Sequence, residues 1–429
     1  MKARSTITPL VCSLIAAVSC QIAPAKTLCV NPKGTSGCLS SIGAAVSAAA
    51  AGDIIDVAHG IYKEQVSITQ PLSLIGENAE NTIVDASGKL SGIRITGTSQ
   101  VIVSGFTVEN ADAAGIWITN SSFITISGNI VMNNDQGLIT GSTPSCPALN
   151  GTPFESGEAA DCGEGIFLSA VDHSILMTNT VTGNAGGILL ADDTGPTHDN
   201  QLIGNSVVRN TQADCGITLA SHAPVTGGVF HNVIADNDSS NNGGPGVGIF
   251  APIPGTKAYG NIVKNNRLIG NNLPGVTMHN HVPNGTPGFP PVPAVFDDNQ
   301  IIGNVIADNA ADTADAATSG PTGIHIYSVS PMSGTIITGN SIDREALDIS
   351  INIPPVSGAL PVVQIQLNNL KGGQRVVGLE SINSGTSINA RMNWWGCSNG
   401  PGAPGCTTIS GSSVQFMPWL ANPAQANNQ

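Results

Sequence analysis

The 429-residue sequence predicts an all-β fold, a single-stranded right-handed parallel β-helix (a solenoid) with an N-terminal capping helix. Three observations carry that prediction. A short motif recurs down the chain, its apolar residues alternate two by two, and asparagine and glycine return at the same place in each unit. GNIVMNN at 128, TNTVTGN at 178, GNSVVRN at 204, HNVIADN at 231, NNRLIGN at 265, GNVIADN at 303 and GNSIDRE at 339 share the pattern. The second residue of each unit is Asn129, Asn179, Asn205, Asn232, Asn266, Asn304 or Asn340, at steps of 50, 26, 27, 34, 38 and 36. Valine and isoleucine dominate the units and glycine would break a helix, so the alternation reads as short strands. Inward Ile, Val and Leu then stack on their equivalents one coil away, about 4.8 Å along the axis. The asparagine fits an inward corner, where its amide bonds the turn backbone and neighbouring amides; that role is structural.

Taken in chain order, residues 1–25 read as an export signal: Lys2 and Arg4, an apolar run from Leu10 to Val18, and Ala23-Pro24-Ala25 for cleavage. Lipid modification of Cys20 is the alternative for that segment. Removing the signal's two basic residues takes the net charge from −14 to −16. Such a balance argues against nucleic acid and anionic membrane surfaces as partners. No later stretch reaches about 18 unbroken apolar residues, so no transmembrane segment is expected. Residues 26–60 form the N-terminal cap. Within it Ile42, Ala45, Val46 and Ala49 share one helical face, with a serine before it and Gly52 after it. Residues 61–390 are the β-helix, and its longer steps mark loops inserted at corners, including the proline-rich 282–295. Residues 391–429 close the far end, with Trp394 and Trp395 beside a small loop. Three local disulfides are expected, Cys29–Cys38, Cys146–Cys162 and Cys397–Cys406, and Cys215 is left as a buried thiol. The mature chain is expected to be a secreted or periplasmic monomer.

The stretch AGDIIDVAHGIYKEQVSITQPLSLIGENAENTIVDASG (51–88) resembles the opening coils of bacterial right-handed parallel β-helix proteins. These form the pectin-lyase-like superfamily, including a NosD-like subgroup named after periplasmic copper-site maturation proteins. The resemblance covers nearly all of the mature chain and implies the fold. It implies function only loosely, because the architecture hosts lyases, hydrolases, esterases, epimerases and plain binders. The superfamily's catalytic signatures are missing. GIYKEQV and LIGENAENTIVD are similar to pectin methylesterases, but the GTVDFIFG-type stretch with their catalytic aspartate is absent. Asp192-Asp193 lacks the Gly-His-Gly and Arg-Ile-Lys companions of polygalacturonases. VDH at 171–173 lacks the tryptophan of the pectate-lyase motif.

Candidate site residues come from strand alternation instead. Aligning strands on their glycines gives two outward columns. One runs Trp117, Phe167, Leu189, Thr218, Gly248, Thr277, His325; the other runs Thr119, Ser169, Ala191, Ala220, Phe250, His279, Tyr327. Asp192, Asp193, Ser221, His222, Asn280 and His281 lie just past the strands. Three chemistries suit this gathering. Polysaccharide cleavage would use His279 or Tyr327 as base and proton donor, with His325, His222 and Asp193 supporting them. Trp117, Phe250, Asp192 and Asn280 would bind the polymer, and Ca²⁺ on Asp192 and Asp193 would neutralise a uronate. The alternative is metal handling, with Cu²⁺ or Zn²⁺ on His279, His281 and His325. The third reading is a solvated, non-catalytic binding or structural solenoid. His198 and Asp199, in the loop 191–200, are expected to fold over the same face, and Glu158 and Glu164 are further candidate carboxylates.

Overall fold

The structure, a computed structural model, describes residues 25–134, 164–210, 215–313, 316–354, 363–371, 376–383 and 387–425. Three parallel sheets of 14, 15 and 11 strands run the length of the molecule, and successive coils contribute one strand to each. One coil shows how the sequence builds them. Ile188–Ala191 joins the 15-stranded sheet, Gln201–Ile203 the 14-stranded sheet and Ser206–Val208 the 11-stranded sheet. The corners between them are made by a residue with positive φ followed by a buried asparagine: Asp199-Asn200, Gly204-Asn205 and Arg209-Asn210. The middle residue of each three-residue strand points inward, so Leu176, Leu202, Ile234, Val263, Ile301 and Ile337 form one fully buried column. Burial of each such side chain stabilises the stack by about 1.5–3 kcal/mol.

The asparagines form three ladders, not one. In the coil above, the ladder members are five residues apart, and each Oδ1 accepts both the backbone N–H and the Nδ2 of the asparagine one coil before it. Asn205 pairs with Asn237, whereas Asn232 belongs to the neighbouring ladder with Asn200 and Asn261. The expected step from Asn205 to Asn232 is therefore out of phase by five residues. The motif carries an asparagine at each end, so spacing alone does not tell one corner from the next. Glu345 replaces asparagine at the end of the third ladder, its Oε1 accepting from Asn309 N–H and Nδ2 at 3.0 and 2.9 Å.

The N-terminal helix α1 (Ile42–Ala48) buries Ile42, Ala45 and Val46. Ser41 caps it through Ala44 N–H, and Glu64 from the coil beneath accepts Ile42 and Gly43 N–H at 2.8 Å. At the other end Trp395 is wholly buried against the last coils. Sheet pairing runs beyond both expected boundaries, from Thr27–Val30 to Val414–Gln415. Cys29–Cys38 and Cys397–Cys406 are bonded and Cys215 is buried. Cys20, Cys146, Cys162, Glu158 and all but Ala25 of the expected signal lie outside the described residues. Among those described, no helix is long and apolar enough to cross a membrane.

The 15-stranded sheet has one feature that positions the site. Its strand Ile166–Asp172 runs unbroken for seven residues. In the following coils the strand is interrupted after Ala191, Ala220 and Phe250, and resumes at Thr197–His198, Val229–Phe230 and Ala258–Tyr259. The intervening loops leave the sheet and stack on one another. A side chain at Gly255 would meet Pro224 at 3.2 Å and Pro290 at 3.4 Å, from the loops of the coils on either side.

Candidate functional site

Register puts the two outward columns where alternation places them. Trp117, Phe167, Leu189, Thr218, Gly248, Thr277 and His325 are successive Cα partners, as are Thr119, Ser169, Ala191, Ala220, Phe250, His279 and Tyr327. The columns are nevertheless covered. Trp117 is 6% exposed, Phe250 5%, His279 4% and His325 1%, and only Tyr327 and His281 are half-buried. Trp117, Phe167, Leu189, Cys215 and Phe250 belong to a second apolar cluster on the outside of the sheet. Trp117 and Phe250, expected to bind a polymer, are thus part of a second core. Strand alternation reports which way a side chain points, but not that the loops of neighbouring coils close over it.

Beneath that cover, three coil segments converge. His279 Nε2 lies 2.7 Å from Thr277 Oγ1, 3.4 Å from His325 Nδ1 and 3.7 Å from Asp312 Oδ2. One ligand atom each from His279, Asp312 and His325 lies within 4.8 Å of the others, and all three residues are buried. His281 and Tyr327 form the outer rim, their rings 5.6 Å apart and 5.3 and 6.2 Å from that of His279. Burial, then the neighbouring His325 and His281, holds the His279 imidazole well below its ordinary pKa. It is therefore neutral, with a lone pair available to a cation.

Asp312 was not among the residues the sequence singled out. It arrives from the insertion between the corner at Asn309 and the strand Thr322–Ser328, and is held there by Thr318, whose hydroxyl accepts its N–H and whose N–H donates to its carbonyl. The signal available was the 36-residue step between Asn304 and Asn340, which marks an insertion next to the His325 strand.

The remaining candidates do other work. Asp192 accepts Ser221 Oγ and His222 N–H at 2.6 Å and Ala223 N–H at 2.9 Å, so its carboxylate anchors the next loop. Burial raises its pKa against the pull of His222 and these donors. Asp193 pairs with His222 Nδ1 at 2.9 Å. Three of the Asp192 carboxylate's acceptor positions are thus already taken, which makes it a poor partner for the expected Ca²⁺. Asn280 donates to Ala251 O, and Glu164 is buried at the start of its strand. His198 and Asp199 lie beyond the loops, on the corner leading to the 14-stranded sheet, and not over the His279 face.

Coiled parallel strands with inward aliphatic columns and asparagine corners define a parallel β-helix protein. Residues 46–243 match the family model described as periplasmic copper-binding protein (NosD), a span that ends before His279. No curated protein matches the sequence. Among solved structures, the catalytic domain of a GH87 alpha-1,3-glucanase in complex with nigerose aligns over 95% of this chain and 69% of its own, with 12% identity and a TM-score of 0.55. The Dettilon tailspike protein aligns over 86% of this chain at 14% identity and a TM-score of 0.50, and this chain spans 62% of it. At such identities the likeness is one of fold.

Proposed function

We propose that this is an exported β-helix protein that handles a divalent transition metal, held by His279, His325 and Asp312. The observation that carries the reading is the convergence of their donor atoms within 4.8 Å in a buried position. Two imidazoles and a carboxylate suit Cu²⁺ or Zn²⁺, and the absence of thiolate or thioether from this set disfavours Cu⁺. Such an ion, when bound, would supply Lewis acidity or a redox couple at a site screened from bulk water. The chain's own residues arrange the site: Thr318 holds the Asp312 loop, and His281 and Tyr327 line its outer rim. The family description and the two described disulfides support export to an oxidising compartment.

The test is metal content. Untagged protein dialysed against Cu²⁺ or Zn²⁺ is expected to retain a stoichiometric ion that a His279→Ala/His325→Ala variant releases. Equal retention by folded variant and wild type would sink the reading. A second reading, action on a polysaccharide, draws on Tyr327 and His281, the half-buried rings at the rim of the same site. Polymer cleavage, followed by ultraviolet absorbance and reducing ends, that proceeds without metal and disappears in His279→Ala would put this second reading first.

A further inference from the structure

The three outer faces of the solenoid are unlike one another. Loops and a second apolar cluster cover the 15-stranded sheet. The 11-stranded sheet carries Asp85, Glu109, Asp238, Arg267 and Asp343 along its outer side. The 14-stranded sheet is nearly free of charge. On its eight consecutive strands from Asp53–Val57 to Ile262–Lys264, outward side chains stand in two unbroken columns. The only charged members are Asp56, on the first of these strands, and Lys264, on the last, both in the same column. Apolar groups lie open between them. Ile54 is 36% exposed, Met177 38% and Ile102 40%, and Phe123, on the corner beside them, 55%.

A second copy of the chain fits this face. The net charge is −14, so two copies meet at least cost where their charges cancel. A two-fold axis parallel to the strands stacks two such sheets about 10 Å apart, keeps each column opposite itself and reverses the order of the rungs. With that axis between Thr125–Ser127 and Ile175–Met177, Asp56 comes opposite Lys264 of the second copy, and Lys264 opposite its Asp56. The same operation, with no further choice, sets large side chains against small ones. Ser127 comes opposite Met177, Ser104 opposite Ile203 and Ile75 opposite Ala235. In the other column Thr125 comes opposite Ile175 and Ser73 opposite Val233. Ile102 meets Gln201, and Ile54 meets Ile262 at the ends. An axis along the solenoid would instead put Asp56 on Ile54 and Lys264 on Ile262, leaving both charges against apolar neighbours. At one rim Phe123 and His173, whose rings stack at 5.2 Å, fall beside the axis. At the other rim Glu77 approaches Asp236, where water screens them and Glu77 already holds His59 at 2.9 Å.

We propose that the outer face of the 14-stranded sheet, from Asp56 to Lys264, pairs two copies of this chain with their axes antiparallel. The proposal departs from the monomer expected from the sequence. It is independent of the buried metal reading, because His279, His325 and Asp312 do not lie on this sheet. Eight rungs at about 4.8 Å, with about five residues of about 3.3 Å from corner to corner, give roughly 600 Å² per copy. That is the lower end of what stable protein interfaces bury, so the dimer dissociates on dilution.

Sedimentation equilibrium of the untagged full-length chain, from nanomolar to high micromolar concentration, tests this. Wild type is expected to pass from monomer to dimer. Asp56→Lys and Lys264→Glu should each raise the dissociation constant about 100-fold or more, because the symmetry applies every like-charged contact twice. Mixed in equal amounts, the two variants should associate as wild type does, since each then meets its complement. The Asp56→Lys/Lys264→Glu chain should dimerise alone. Unchanged thermal midpoints of the single variants separate a lost contact from a lost fold. The proposal is overturned if wild type stays monomeric throughout, if both single variants dimerise as wild type does, or if their mixture stays monomeric. Retention of a monomeric wild type on an insoluble polysaccharide, abolished by Ile102→Glu/Met177→Glu, would overturn it in favour of a glycan surface.

Discussion

The Asn266 side chain makes four hydrogen bonds in a position without solvent. Its Oδ1 accepts Asn237 N–H and Nδ2 at 2.9 and 3.0 Å, and its Nδ2 donates to Ile234 O and Asn304 Oδ1 at 2.9 and 3.0 Å. Asn266→Leu keeps the volume but strands donors above it and acceptors below. A loss of about 2–4 kcal/mol is expected, read as a lower urea midpoint at unchanged slope; a loss under about 0.5 kcal/mol would refute the ladder's energetic role. Glu345 is the exception in its ladder, and its chemistry has a sign. Burial pushes its carboxyl up to about 7, against the pull of the Asn309 donors. The folded protein thus holds a proton that the unfolded chain releases near 4.5. Between pH 4.5 and 7 the unfolded state binds fewer protons, so stability falls as pH rises, by up to about 3 kcal/mol. Glu345→Gln keeps the acceptor and removes the titration. Melting curves of this variant should be flatter than wild type across that window, and parallel curves would contradict the assignment. At this scale the sequence displayed the corner asparagines plainly. It hid their phase, because an asparagine every five residues looks alike at all three corners.

Between residue and molecule lie the loops that interrupt the 15-stranded sheet. Strand alternation was enough to order both outward columns, since a parallel stack with one buried face tolerates no slip of register. What it could not supply was the cover. Trp117 and Phe250 read as outward, polymer-binding residues because nothing in a local pattern says that the loops of three consecutive coils will pack against one another. Asp192 shows how the cover is fastened. In sequence it is half of an acidic pair suggestive of a cation; in the fold it receives Ser221, His222 and Ala223, and Ser221 in turn accepts Lys257 N–H. Asp192→Ala should therefore release a loop and leave the coil core intact. Hydrogen exchange is expected to quicken through residues 221–228 and at Lys257, with protection of Leu219 and Ile249 retained. Uniform loss of protection would mean that Asp192 supports the whole stack, and no change would mean that the loop has other anchors. The same substitution should not reduce the metal uptake proposed for His279, whose coil lies two rungs beyond Ala220.

A solenoid is held together by neighbour contacts, so a ligand that ties two coils acts on the molecule through those coils first. The buried donors belong to consecutive rungs, His279 on Val276–Asn280 and His325 on Thr322–Ser328, with Asp312 on the insertion that leads into the second. Without a cation, this region packs two imidazoles and a carboxylate with little solvent, and the depressed pKa of His279 denies it the charge that would pair well with Asp312. A divalent ion, as proposed, would replace that arrangement with ligand bonds and further fasten an insertion already held through Thr318. At a free concentration 100 times its dissociation constant the ion adds about 2.7 kcal/mol to the folded state. The stabilisation should be local before it is global: protection from exchange rises in 276–280, 308–313 and 322–328, and stays level in the N-terminal coils around Ile55 and Leu74. His325→Ala should abolish the effect, and Asp312→Asn should reduce it, since the amide keeps one neutral oxygen in place of a charged pair. A metal-dependent rise spread evenly from cap to cap, or one that survives His325→Ala, would place the ion elsewhere on the chain.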